Sequence, residues 1–355
     1  MIPILHLDSP EDAARVRQIV QRLRLDPKDL ALSRGHRAEQ VRTVQTLLEQ
    51  VAERGDAAVV EIARQFDDPD FQLHQLRVTT EEMAAASGRL EPDLRAALRR
   101  SIDQVRQYQT HVMPQPKPPL QHNGRTLGMR WTPLDSAGVY FPGGKASYPS
   151  SLIMLAVPAM TAGVKRIVVC TPGSRFGRSD VVMAAAHEVG ITEMYRVGGV
   201  AAVAALAFGT ESVQPVDKIV GPGNSYVQLA KRAVAGCVGI DGYLGPSEIL
   251  TLADDTADAA YIAADLLAQA EHDPGSCFLL TTSEAMAQRV KSEVQRQLAS
   301  LKRIAAIEKA LREESMIVVA SDMSPLIDLV NEIACEHINL QTADDEKILS
   351  QLRHG

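Results

Sequence analysis

Two short runs carry side chains suited to chemistry. Gln269 and His272 stand in LLAQAEHDP, and Glu336 and His337 stand in ACEHINLQ. A neutral imidazole is a common zinc ligand, and an amide oxygen is a weaker, harder donor. Positions i and i+3 share one side of a helical turn, so Gln269 and His272 could hold one ion from the end of a helix. The alternative is a histidine near a helix C-terminus, where the helix dipole favours it. An acid beside an imidazole suits general-base work near neutral pH. Adjacent residues of a regular strand point to opposite faces, so Glu336 and His337 could serve one site only from a loop or a strand entrance. A surface Glu-His dipeptide is the alternative there. Two protein ligands do not normally complete a zinc site, and the sequence stops 18 residues beyond His337, at Gly355. The metal site is therefore expected to be incomplete.

The elements that would position these residues follow from hydrophobic periodicity. TADAAYIAADLLAQAE (256–271) reads as an amphipathic helix with Ile262, Leu266 and Leu267 on one face. Asp273-Pro274-Gly275 ends it, because proline cannot continue a helix and glycine permits the turn. EILTLA, CFLLTT, MIVVA and HINLQ are strand candidates separated by helices such as EAMAQRVKSEVQRQLASL. Between 140 and about 245, RIVVC, MYRV and DKIV are short apolar runs suited to buried parallel strands. SSLIMLAVPAMTAG, SDVVMAAAHEVG and VAAVAALAFG read as the helices between them. This rhythm predicts a doubly wound sheet with its ligand site at the carboxyl ends of the strands. Upstream, three charged amphipathic helices end at a proline-rich connector, PQPKPPLQ, and RTLGMRWTPLDSAGVYF suggests strands leading into a glycine turn. The expected fold is α/β, with two Rossmann-like doubly wound units and N-terminal helices. Residues 1–139 plus 249–355 are assigned to one discontinuous domain carrying the metal and catalytic residues, with 140–248 inserted as the second.

Two glycine loops punctuate the inserted segment. Phe141-Pro142-Gly143-Gly144-Lys145-Ala146-Ser147 resembles a phosphate loop only loosely, since Ala146 cannot hold magnesium. Its functional reading is backbone amides plus Lys145 near an anion; the alternative is a tight turn with a surface lysine. Gly221-Pro222-Gly223-Asn224-Ser225-Tyr226 follows a strand and opens a helix, the context of a dinucleotide turn, but Tyr226 replaces the third glycine of that fingerprint.

Composition narrows the classes. Apolar residues make up 45% and charged residues 23% of the 355, and the net charge is −7. That balance argues against nonspecific nucleic-acid binding and gives no membrane-surface signal. No apolar run approaches the roughly 20 residues that span a bilayer, and the N-terminus turns acidic too early for a signal peptide. Cys170, Cys237, Cys277 and Cys335 form no CxxC. A cytoplasmic chain with reduced thiols is expected.

Several long segments, in order, resemble histidinol dehydrogenase. They are GVYFPGGKASYPSSLIMLAVPAMTAGV (138–164), VGGVAAVAALAFGTESVQPVDKIVGPGNSYV (197–227), IDGYLGPSEILTLAD (240–254), DLLAQAEHDP (265–274) and EIACEHINLQT (332–342). The resemblance implies an aldehyde-dehydrogenase-like arrangement and oxidation of L-histidinol to L-histidine through the aldehyde. It also implies two NAD, zinc and a homodimer whose sites borrow residues from both subunits. Gln269 and His272 would be zinc ligands that also approach the substrate. Glu336 would activate water, and His337, also at the substrate, would take the alcohol proton. Ser247 would touch substrate, and Tyr140 and Asn224 would contact NAD. Four features depart from the family pattern: Ala201 in place of a glutamine that contacts NAD, GYL at 242–244, Asp273 and Cys335. The family's other zinc ligands, an Asp and a His, would lie after Gly355, and His354 does not replace them. The expectation is a C-terminally incomplete enzyme. The alternatives are a naturally short, catalytically impaired relative kept for binding or regulation, and a dehydrogenase for a related amino alcohol.

Overall fold

The computed structural model describes residues 1–23, 28, 32, 38–143, 146–243, 247–272 and 275–354. Lys145 and Asp273 lie outside the described residues. The chain divides into a discontinuous unit, Met1–Ala31 with Gly245–Gly355, and a continuous unit, Leu32–Leu244.

The discontinuous unit begins with β1 (Ile4–His6) and α1 (Pro10–Leu23). The chain then builds the continuous unit. Its first part is α2 (Ala38–Phe66), β2 (Arg77–Val78), α3 (Thr80–Arg89), α4 (Pro92–Val112), β3 (Leu120–His122) and β4 (Arg125–Leu127). The alternating part follows: β5 (Ser136–Tyr140), α5 (Pro149–Thr161), β6 (Arg166–Thr171), α6 (Asp180–Val189), β7 (Glu193–Arg196), α7 (Gly199–Phe208), β8 (Lys218–Val220), α8 (Ser225–Val234) and β9 (Gly239–Ile240). The chain returns to the discontinuous unit with β10 (Ser247–Ala253), α9 (Ala259–Ala270), β11 (Gly275–Thr281), α10 (Glu284–Leu298) and α11 (Ile304–Glu313). It closes with β12 (Met316–Val319), α12 (Met323–Ile333), β13 (His337–Gln341) and α13 (Asp345–Leu349).

In the continuous unit the sheet order is β2-β7-β6-β5-β8-β9, parallel except for β2 against β7. The winding reverses between β5 and β8, which creates a switch point at their carboxyl ends. One face packs on α2, α7 and α8 through Val59, Ala204 and Leu229. The other packs on α3, α4, α5 and α6 through Met83, Ile102, Leu152 and Val182.

In the discontinuous unit the order is β1-β12-β11-β10-β13, with every pair parallel. The strands are apolar on both sides because helices cover both faces. Ile262, Val290 and Ile307 of α9, α10 and α11 cover one, and Val16 and Leu326 of α1 and α12 the other.

The domain boundary differs from the sequence expectation. Residues 38–139 pack with the continuous unit, so the division falls near 32 and 244 rather than 140 and 248. The reason is local burial: α2 places Val44 and Leu48 in the same core as α7 and α8, and β2 adds an antiparallel strand to β7. Charged outer faces hid these buried stripes, which made the helices look like peripheral scaffold. The helix expected over 256–271 begins at Ala259 and ends at Ala270. Asp254 instead binds Thr256 in a turn, and Asp258 caps the helix by accepting from Ala260 N.

Candidate active site

The candidate chemical residues of the discontinuous unit gather at the amino ends of three neighbouring strands. Ser247 opens β10 opposite Gly275, which opens β11. His337 opens β13 opposite Ile249. Gln269 lies in the last turn of α9, which feeds β11. His272 sits just past the helix end, where its N–H donates to Gln269 O at 3.2 Å. Gly275 is needed there, because a Cβ would stand 2.5 Å from Gln269 O and 2.9 Å from His272 O. The sequence reading put both side chains on one turn. The structure separates their environments: Gln269 is buried at 7% exposure, while His272 is exposed. Gln269 Nε2 has no hydrogen-bond partner among the described residues. A buried amide without a partner is uncommon and marks a place for a ligand group.

Glu336 and His337 stand together, with Glu336 Oε1 3.8 Å from His337 Nε2 and both side chains more than half exposed. They border a cavity of about 530 Å³ that also meets Ile338, Leu340, Arg353 and His354. Gln269, His272 and Ser247 do not line it. Two strand spacings, about 10 Å, separate the start of β11 from that of β13. Among the described residues no three His, Cys, Asp or Glu side chains form a group able to hold a metal ion.

Glu248 occupies the middle of this edge and went unnoticed in the sequence. Burial is the main cause that raises its pKa, the charge of Glu336 adds to it, and a hydrogen bond from the Glu336 backbone opposes both. Its position beside Ser247 in GPSE was the only available signal. Cys335 is buried on the same side, within the core below Glu248.

The continuous unit presents a second cluster, at the switch point. Tyr140 ends β5, and its buried hydroxyl accepts from Gly199 N at 3.2 Å. Burial pushes its pKa up to about 12. Asn224 follows β8 and caps α8, accepting from Tyr226 N and Val227 N at 3.1 and 3.2 Å. Both residues therefore stand at the carboxyl edge of the sheet, and Tyr140 packs in the core shared by α7 and α8. Gly221 connects them. Its φ is 132°, and a Cβ would stand 1.7 Å from Tyr140 O. Lys231 and Asp241 hold it from two sides: Lys231 Nζ donates to Gly221 O at 2.9 Å, and Gly221 N donates to Asp241 at 2.7 Å. Asp67 reaches the same edge, with Oδ2 near the Gly198–Gly199 turn. Neither this carboxylate nor the buried lysine is legible from spacing, because both depend on contacts distant in sequence.

The described part of the first glycine loop is braced rather than open. Ser174 Oγ donates to Gly143 O, and a Cβ on Gly143 would lie 3.1 Å from Gly177.

The histidinol dehydrogenase family model matches residues 32–355. The chain belongs to the histidinol dehydrogenase family. It is 45% identical over 319 residues to the histidinol dehydrogenase of Geobacillus kaustophilus, covering 89% of this chain and 75% of that protein. It is 44% identical over 323 residues to that of Thermosynechococcus vestitus, covering 90% and 75%. The crystal structure of histidinol dehydrogenase from Elizabethkingia anophelis matches with a TM-score of 0.88 at 29% identity, covering 99% of this chain and 78% of that one. The family is one of oxidoreductases. Within this member, Ala201 lies buried in the first turn of α7 at 1% exposure and presents no polar atom to a ligand from its side chain. Among the described residues no helix is long and apolar enough to cross a membrane.

Proposed function

We propose that this member of the family is built to oxidise L-histidinol to L-histidine through L-histidinal, with NAD as hydride acceptor and zinc at the substrate, as a cytoplasmic homodimer. The observation that carries the substrate side is the gathering of Ser247, Gln269, His272, Glu336 and His337 on the amino-terminal edge of one sheet. In this reading Ser247, Gln269, His272 and His337 contact substrate, and Tyr140 and Asn224 contact NAD.

The two implied cofactors fit unequally. The edge near Tyr140 and Asn224 is a suitable cradle for NAD: Gly221 leaves no room for a side chain, and α7 and α8 both begin there. NAD, when bound, accepts the hydride from the alcohol carbon. For zinc the described residues offer Gln269 and His272, whereas zinc is normally held by three or four protein ligands. These two alone do not complete the site.

The chain's own groups can be given roles. His337 accepts the hydroxyl proton as the C–H hydride leaves, giving the aldehyde. Glu336 then accepts a proton from water as its oxygen adds to the aldehyde carbon. A second hydride leaves the resulting hydrate, and the carboxylate forms. The neighbouring Glu336 carboxylate stabilises the imidazolium that His337 becomes.

Ring resonances of His272 and His337, followed by NMR during titration with L-histidinol and NAD, test this reading, with NADH formation measured in parallel. L-histidinol should perturb both rings, and His337→Phe should weaken its binding. Equal response to amino alcohols lacking the imidazole would favour a related substrate. Perturbation without any NADH, even with excess zinc, would favour a binding or regulatory relative. No perturbation would overturn the reading.

A further inference from the structure

We infer that residues 113–134 form an arm that docks on the acidic residues 245–355 of a second copy of this chain. The inference rests on the homodimer reading above and names the surface that would make it.

The arm leaves α4 and crosses the proline-rich connector into the β3–β4 hairpin. Asn123 and Gly124, with φ of 47° and 73°, turn it, the preferred geometry for a two-residue hairpin loop. Leu120 pairs with Leu127 and His122 with Arg125, and Thr126 donates to Gln121 at 2.8 Å. Among the described residues neither outer edge of the hairpin pairs with another strand. Every residue from 114 to 135 is exposed. An isolated two-stranded hairpin is marginal in water, because too little area is buried to offset the entropy of ordering it. This one also spends apolar side chains on its surface: Leu120, Leu127, Met129 and Trp131 are each at least 57% exposed, and Trp131 is the only tryptophan of the chain. Such a concentration marks an interaction surface.

Charge selects the occupant. Between Asp103 and Asp135 there is no Asp or Glu; Arg106 already pairs with Asp103 at 3.0 Å, and Lys117, Arg125 and Arg130 carry the positive charge of the arm. Residues 245–355 carry 19 Asp and Glu against nine Arg and Lys. A basic apolar arm and a strongly acidic segment in one polypeptide are complementary between two copies, and reciprocal docking closes a two-fold dimer.

Trp131 reports the contact directly. Sedimentation velocity and tryptophan emission of the full chain are measured over a dilution series, at low and high salt, with circular dichroism as a folding control. We expect a dimer whose Trp131 emission is blue-shifted and shielded from iodide, with both properties lost together on dilution. Arg125→Glu with Arg130→Glu should weaken dimerisation at least tenfold at low salt and leave the circular dichroism unchanged. A monomer at every concentration would remove the homodimer reading and this proposal with it. A dimer whose Trp131 stays as exposed as in the dilute monomer would leave the homodimer standing and overturn the arm. A dimer indifferent to the charge reversals would overturn the acidic docking surface. Trp131 buried only with co-purifying nucleic acid would overturn the assignment of a second copy.

Discussion

Asn339 Nδ2 donates to Asp265 Oδ2 at 2.6 Å, and this bond ties β13 to α9 one step away from the candidate catalytic residues. Side chains two apart on a strand share a face, so His337 lies on the Asn339 side of the sheet. Gln269 is one helical turn beyond Asp265. Two strand residues advance about 7 Å and four helical residues about 6 Å. Gln269 therefore keeps pace with His337 along the face that Asp265 and Asn339 define. Asn339→Ala should cost about 1.5–3 kcal/mol of stability in urea unfolding, the range for losing a hydrogen bond to a charged acceptor. It should also weaken L-histidinol binding more than Ser283→Ala, which removes the cap of α10 beyond the carboxyl end of β11. Equal effects of the two on binding would show that the bond sets no register for the site.

Lys231 is fully buried, and its partners are the Asp241 carboxylate and Gly221 O. Removing one member of a buried ion pair leaves an uncompensated charge, at about 3–5 kcal/mol. Lys231→Met should fall in that range by urea unfolding, with Asp241→Asn close behind. The double variant should cost clearly less than the two added together, because neither charge is then stranded. Simple additivity would show that the two residues act independently. Gly221→Ala should be worse tolerated than either, since its Cβ would overlap Tyr140 O.

Strand runs such as RIVVC, CFLLTT and MIVVA were legible in the sequence because burial on both faces leaves an unbroken apolar string. Gln269 and His337 were legible as chemistry because amide, acid and imidazole types are distinctive. Their assignment to one site came only with the family resemblance, since spacing alone does not show that β10 lies between β11 and β13. Glu248 looked like any strand-start acid until Glu336 was placed behind it. The membership of α2 was misread for a related reason: periodicity gives a buried stripe but not the partner that buries it.

Asp67 supplies a pH test at the switch point. Burial raises its pKa to about 6 from 3.8, with Arg178 pulling it down and Asp68 pushing it up. Between those values the folded protein keeps a proton that the unfolded chain has released. Stability present near pH 4 is therefore lost as pH rises toward 6, and the cost is complete above that. Asp67→Asn removes the cost, so the variant should be more stable than its parent at about pH 7.5, by up to about 3 kcal/mol. Near pH 4 the two should differ little. Denaturant midpoints at the two pH values check the prediction, and a variant less stable at the higher pH would contradict it.

Gln269 brings one buried amide and His272 one exposed imidazole, and the described residues add no group of three ligand side chains. Two protein donors leave zinc largely hydrated, where competition from water keeps affinity low. After dialysis the 355-residue chain should retain well under one zinc per chain and show little or no histidinol oxidation until zinc is supplied in excess. A chromophoric chelator measures the first and NADH formation the second. Gln269→Ala and His272→Ala should each lower what zinc binding remains. Tight stoichiometric zinc, unchanged by either substitution, would mean that the ion is held elsewhere on the chain. Tight zinc that both substitutions abolish, with full turnover, would mean that two donors from this edge meet others in the working assembly.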